Sequence, residues 1–326
     1  MKIYKKIKPI FLLLVFMLGS YSLFSQTIFA DANETYKGVK SIELKGSFCD
    51  VEINGEDRSD VRFEGVIKGK SSKKKKFAIR HELNGGVLSI WIESPNSFYG
   101  NINGELSLKV PSDIKLNIRN SSGDLYCENI VSRYSKFRAS SGDLNIQKIK
   151  GDLDIVTSSG EILVKDLIGN LTSESSSGDQ EIKYIVGNVT SKASSGDLEF
   201  KDIEGDIQSR TSSGDIEIER LTGRLKNVSS SGGIEISDSK TVLHLTTTSG
   251  DIQGDNLVLV GESFFDTTSG NVTLSLRNDP DQLSFDLRAS SGNLRAGNRT
   301  ADKKLYMANG DIWIHGKSSS GDQSYR

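Results

Sequence analysis

Apolar and polar positions along the chain repeat with a period set by a Ser-Ser-Gly tripeptide. Its glycine stands at 123, 142, 160, 178, 196, 214, 232, 250, 270 and 292, so the spacing is 19, then 18 six times, then 20 and 22. A degenerate copy follows at Asn309-Gly310-Asp311 and a last one at Ser320-Gly321-Asp322. Counted from that glycine, positions 2 and 4 are apolar, as in Ile162 and Val164 or Ile216 and Ile218. Position 7 (Leu167, Ile203, Leu221) and position 11 (Leu171, Ile207, Leu225) are apolar too, while positions 13 and 15 are mostly Ser, Thr, Asn or Ala. A second glycine follows nine residues after the first, at 151, 169, 187, 205 and 223. Alternation with period two belongs to strands with one face inward. Glycine at such intervals is incompatible with helix. The pattern predicts an all-β fold, a β-solenoid with about 18 residues per coil and a glycine corner at each end of the coil.

A single coil cannot stand alone. Its four or so inward aliphatic side chains contribute roughly 1.5–3 kcal/mol each, against about 1–2 kcal/mol per residue for ordering the backbone. Stacking removes the deficit by pairing each strand with its equivalents about 4.8 Å above and below. About eleven coils from Ile114 onward would form a rod on the order of 50 Å long. Buried hydroxyls at positions 13 and 15 need partners, which implies a slim core with side-chain ladders.

Upstream the pattern is looser. Ser47-Phe48-Cys49-Asp50-Val51-Glu52-Ile53 matches the repeat with Cys49 in the glycine place. Residues 61–67, 77–83, 87–92 and 106–110 alternate as strands, and Asn84-Gly85-Gly86 is a hairpin turn signal. These residues are expected to include antiparallel pairs and to cap the first coil, because an open edge invites aggregation. The first residues carry Lys2, Lys5, Lys6 and Lys8 ahead of an apolar stretch from Phe11 to Phe24. That is the plan of a secretory signal peptide, with Ala30 and Ala32 as cleavage-site residues and Ser25-Gln26 as an earlier candidate. The chain therefore divides into a signal peptide (1–32), an N-terminal β region with cap and first coils (33–112), the regular Ser-Ser-Gly-Asp repeats (113–316) and a polar C-terminal tail (317–326). The tail is expected to blunt the end of the stack or to be disordered. No stretch of the mature chain is long and apolar enough for a transmembrane helix.

Without residues 1–32, 37 basic side chains face 42 acidic ones, so the net charge falls from −2 to −5. That argues against nucleic acid as a partner. The run from Lys73 to Lys76, with Lys68 and Lys70, reads as a solvated loop or as a contact for anionic envelope polymer. The two cysteines, Cys49 and Cys127, read as buried, unpaired thiols, although export would permit a disulfide.

The same register places acids outward. Asp143, Glu161, Asp179, Asp197, Asp215 and Asp251 occupy position 1, and Glu181, Glu199, Glu217 and Glu235 occupy position 3. Stacked like charges repel, and Lys165, Lys183 and Lys201 at position 5 would offset part of this. The residues Asp179, Glu181, Asp197, Glu199, Asp215, Glu217 and Glu235 form the one candidate metal site, a stripe whose oxygens suit Ca2+. The alternative is a solvated face whose aspartates bond their own turns. No catalytic or cofactor-binding residue is assigned. His81, His244 and His315 lie far apart in unrelated registers, and no serine has the context of a nucleophile elbow.

These residues together resemble a bacterial family of adhesin-type, exported β-strand-repeat domains of unknown function. The resemblance rests on Asp50 to Gly55, on Leu108-Lys109-Val110-Pro111 ahead of the repeats, and on the Ser-Ser-Gly-Asp ladder. It implies a right-handed, parallel β-helix-like fold and no catalytic residue. The expectation is a non-enzymatic protein exported to the periplasm, surface or medium, adhesin-like or structural, with an envelope or extracellular protein or glycan as partner. The alternatives are a polysaccharide-acting β-helix enzyme and a calcium-dependent binding module.

Overall fold

The computed structural model describes residues 26–70, 76–95 and 101–326. The apolar leader up to residue 25 and most of the lysine run lie outside the described residues. The described chain is all-β, and its one helical turn is the 3-10 segment Pro280–Gln282.

The centre is a parallel, β-solenoid-like stack in which each residue meets its equivalent 18 positions on. Ile162 pairs with Gln180, Gln180 with Leu198, and Leu198 with Ile216. On the other wall Leu171 pairs with Val189 and Val189 with Ile207. Positions 2, 4, 7, 11, 13 and 15 face inward; Leu198, Phe200, Ile203, Ile207, Ser209 and Thr211 are all buried.

Each coil bends at three places, not at the two glycine corners alone. Position 6 adopts a left-handed backbone in the seven coils that start at Gly142 to Gly250: Lys148, Asp166, Tyr184, Asp202, Arg220, Asp238 and Asn256 have φ between 50° and 58°. This bend shifts the phase, so that positions 4 and 7 both point inward although they are three residues apart. Asp and Asn, which tolerate that conformation best, are over-represented there.

The Ser-Ser-Gly corner needs glycine because stacked corners nearly touch. A Cβ on Gly160 would stand 2.0 Å from the carbonyl oxygen of Gly142, and one on Gly178 would stand 1.9 Å from that of Gly160. Cys49 fills the corner of the first coil, where its thiol lies against Gly104, itself without a Cβ.

Nine strands build the N-terminal end: β1 (Thr27–Lys37), β2 (Ser41–Ser47), β3 (Asp50–Glu56), β4 (Asp60–Gly69), β5 (Ala78–Asn84), β6 (Val87–Glu93), β7 (Ile102–Pro111), β8 (Lys115–Asn120) and β9 (Leu125–Arg138). Here stacking order departs from chain order. The first coil, β2 and β3, lies between β8 and β9 on one side and β6 and β7 on the other, parallel to all of them. Outside β6 and β7 the pairing turns antiparallel, with β5 on β6, β4 on β7 and β1 on β4. The expected hairpin is present: Asn84 pairs with Val87 across Gly85 and Gly86, both at positive φ.

One boundary drawn from the sequence falls inside a strand, and the reading of 317–326 as a tail is corrected. Residues 27–32 are the first half of β1, with Ile28 to Ala32 paired to residues 65–68 of β4. Cleavage after Ala32 would cut that strand, whereas cleavage after Ser25 leaves it whole. Residues 317–326 are no tail. Ile312–Ser320 and Gln323–Tyr325 form a full coil whose inward residues are Ser318, Gln323 and Tyr325, the last only 1% exposed. This coil is inserted between residues 263–274 and residues 283–296, parallel to both. The coil 283–296 is therefore outermost, and antiparallel strands Arg299–Ala301 and Lys304–Ala308 cover its edge.

Cys49 and Cys127 are both buried and free. Cys127 stacks on Ile53 rather than on Cys49. Burial, with Asp50 nearby, pushes the Cys49 thiol up to about 12.

Two glycine-to-alanine exchanges separate the effect of close approach from that of glycine itself. Gly178→Ala should lose about 2–3 kcal/mol through overpacking. Gly233→Ala, whose Cβ would meet nothing nearer than 3.7 Å, should stay within about 0.5 kcal/mol of the parent. Urea denaturation followed by circular dichroism measures both, and equal losses would contradict the corner packing.

Candidate functional site

The acidic stripe is built by the corners. At position 1, each aspartate places its carboxylate over the next coil and accepts a backbone N–H there. Asp179 Oδ1 accepts from Asp197 N (2.9 Å), Asp197 Oδ1 from Asp215 N (2.8 Å), and Asp215 Oδ1 from Gly233 N (2.7 Å). The same link runs from Asp50 to Asp124 to Asp143 to Glu161. At the C-terminal end it follows stacking order, from Asp251 to Asn271 to Asp322 to Asn293. The second corner repeats the device at position 10 through Asp152, Asn170, Asn188 and Asp206. Both corners thus join a glycine, which lets two coils approach, to an Asp or Asn, which satisfies the amide that the bend leaves without a ladder partner.

Position 3 lies beside this ladder. Lys183 bridges Glu181 (2.7 Å) and Glu199 (2.9 Å), and these two hydrogen bonds raise the Lys183 pKa above its ordinary value. Lys201 pairs with Glu219 instead, and Lys165 lies over the Tyr184 ring. Together the two rows line a groove of about 620 Å³ running from Glu161 to Asp251 and including Asp179, Glu181, Asp197, Glu199, Asp215, Glu217 and Glu235. All seven stripe residues named from the sequence therefore share one surface. Among the described residues, however, no three His, Cys, Asp or Glu side chains converge as a metal ion requires. The stripe aspartates each spend an oxygen on backbone, and the spacing of the coils keeps neighbouring carboxylates in line rather than around a point.

The histidines are not all in unrelated registers. The out-of-order last coil brings His315 against Phe264, which pairs with His244 on its other side. Phe264 and His315 stack at 4.8 Å with 13° between planes, Trp313 stacks beside His315, and Tyr306 adjoins Trp313. Chain order hides this row because Phe264 and His315, which join its two halves, are about fifty residues apart. The third histidine, His81, hydrogen-bonds the Tyr36 hydroxyl at the opposite end.

The sequence profile of the Toastrack DUF4097 family matches residues 39–221 and 163–324. The chain belongs to this family, a domain of unknown function. The two matches overlap over 163–221, as an 18-residue repeat that aligns in more than one register allows. No curated protein matches the chain. Similar solved structures include a candidate cell adhesion protein from Clostridium sporogenes ATCC 15579, at 12% identity, covering 92% of this chain and 99% of that one, with a TM-score of 0.25. Another is a candidate lipid binding protein from Parabacteroides distasonis ATCC 8503, at 12% identity, covering 90% and 96%, with a TM-score of 0.30. No helix among the described residues of this Toastrack chain is long and apolar enough to cross a membrane.

The ladder is interrupted at Gly233, which offers no side chain to the N–H of Asp251. Gly233→Asn should close the gap and raise stability by about 0.5–1.5 kcal/mol. Asp197→Ala should lose a similar amount, and Asp197→Asn should stay within about 0.5 kcal/mol, since Asn already serves at 170 and 188. Thermal melting with excess Ca2+ and with chelator should give the same midpoint for the parent protein.

Proposed function

We propose that this Toastrack protein is an exported, non-catalytic component of the cell envelope or surface, adhesin-like or structural, built as a right-handed solenoid of 18-residue coils. The acidic groove carries the reading. It extends over coil after coil with carboxylates recurring at positions 1 and 3, which suits a broad contact face and gives no single point where chemistry is focused. Acid–base catalysis by two carboxylates needs environments that differ, so that one holds a proton and the other does not. The aspartates at position 1, each engaged with a backbone amide in the same way, lack that asymmetry, which disfavours a polysaccharide-acting enzyme. The engagement of Asp179, Asp197 and Asp215 with backbone amides likewise disfavours a calcium-dependent module. Handedness follows the general preference of parallel crossover connections.

Export is supported by the basic and apolar leader and by β1 beginning at Thr27, directly after the Ser25-Gln26 candidate. The mature protein should start at Gln26, which intact-mass measurement on protein purified from the native cells would read. A C-terminal epitope tag should be reached by antibody on intact cells if the protein faces outward. Labelling only after permeabilisation would place it in the periplasm and end the adhesin reading. Full-length mass in the cytosolic fraction would end export altogether.

A further inference from the structure

A second surface, remote from the acidic groove, is formed where β6, β2 and β8 lie side by side. Cross-strand pairing sets two outward rows there. One is Trp91, Lys45 and Arg119; the other runs from Glu82 through Ser89 and Glu43 to Asn117. Two adjoining cavities of about 310 and 600 Å³ share Lys45, Ser89, Trp91 and Arg119. Arg80, at the end of the Trp91 row, is engaged by Glu93 at 3.0 Å. Lys45 and Arg119 are both exposed and have no carboxylate partner among the described residues. The Asn117 side-chain oxygen accepts no hydrogen bond within the described chain. Unlike the rings of the Phe264 row, the Trp91 indole has no aromatic partner among the described residues.

We infer that this groove binds an anionic saccharide unit, with Trp91 stacking on the sugar ring and Lys45 and Arg119 holding its acidic group. The chemistry of the lining selects this class. A half-buried indole that lines a groove and has no aromatic partner is suited to the C–H face of a pyranose. A guanidinium offers a forked pair of donors to a carboxylate or sulfate. Glu43 and Glu82 supply acceptors for hydroxyls and the Asn117 amide nitrogen a donor, which a purely electrostatic phosphate or lipid site would not need. The two adjacent cations meet one acidic group, while Glu43 and Glu82 keep the groove close to neutral overall. The inference goes beyond the proposed function and does not depend on the acidic groove.

The test uses the protein beginning at Gln26, which retains every described element. Only Trp91 and Trp313 are tryptophans, so Trp313→Phe leaves Trp91 as the sole indole reporter. Titration with polygalacturonate should quench or shift its emission, while neutral dextran should not. Dextran sulfate distinguishes a sulfate ester from a carboxylate as the acidic group, and binding of either anionic polymer supports the site. With calorimetry as the readout in the otherwise unaltered protein, Trp91→Ala should weaken binding at least tenfold. Lys45→Ala and Arg119→Ala should each weaken it three- to tenfold and flatten its salt dependence, and Asp197→Asn should leave it unchanged. Trp91→Phe, which keeps an aromatic face, should recover part of the loss, which separates stacking from a folding defect. Binding that survives Trp91→Ala but falls with the cation variants would overturn the site as unspecific electrostatics. Absence of binding to both anionic polymers would overturn it as well, and capture of anionic phosphatidylglycerol vesicles in their place would reassign the groove to a lipid surface. None of these outcomes bears on where the protein resides, so this inference and the proposed location fail separately.

Discussion

The contact on which the whole stack depends is the approach of one glycine corner to the next. Where Gly178 passes Gly160, backbone occupies the space in which any other residue would carry its Cβ. That proximity fixes the coil spacing at the corner to the spacing that strands need along the walls. It also strips the corner amide of a ladder partner, and the following Asp or Asn supplies one. The acidity of the groove is thus a by-product of backbone bookkeeping repeated coil by coil. Lysines such as Lys183 then moderate the accumulated charge.

Inside, the core is narrow enough that polar side chains stand in its middle. Ser173 and Ser191 both donate to Gln180 Oε1, while the Gln180 amide donates to the Lys192 carbonyl. Ser209 and Asn227 continue the column, and towards either end it becomes Ile155 and Phe137 or Leu245 and Phe265. A purely apolar interior with identical repeats would allow coils to slip by 18 residues without penalty. Buried polar pairs that match only in one alignment remove that freedom, because an orphaned amide in such a core is costly.

The repeats were largely legible because a fixed period writes structure directly into sequence. Strand positions, inward residues and the acidic stripe all follow from counting from Ser-Ser-Gly. The left-handed bend at position 6 was present as a signal, in the three-residue step from Val164 to Leu167 and in Asp166, Asp202 and Asp238, but glycine drew the attention to the corners. What counting could not give is spatial order at the ends. Nothing local in Ile312–Tyr325 says that it lies inside residues 283–296, nor in β2 that it lies inside β6. The rows that follow from this order, His244 with Phe264 and His315, and Trp91 with Lys45 and Arg119, join residues whose neighbours in sequence are irrelevant to them.

The coil 312–325 is tucked one layer in from the C-terminal end of the stack, and the first coil, β2 and β3, lies beneath β6 and β7, which makes the protein a sleeve with two locked collars. The outermost coil at the C-terminal end, residues 283–296, gains its inner neighbour only after the later segment 312–325 has been delivered beneath it. Lengthening is correspondingly confined to the interior. A duplicated 18-residue unit between residues 142 and 250 would meet the same face above and below and leave both collars untouched. The fold is therefore one whose reach can be set in steps of a single coil, independently of whatever its two ends recognise.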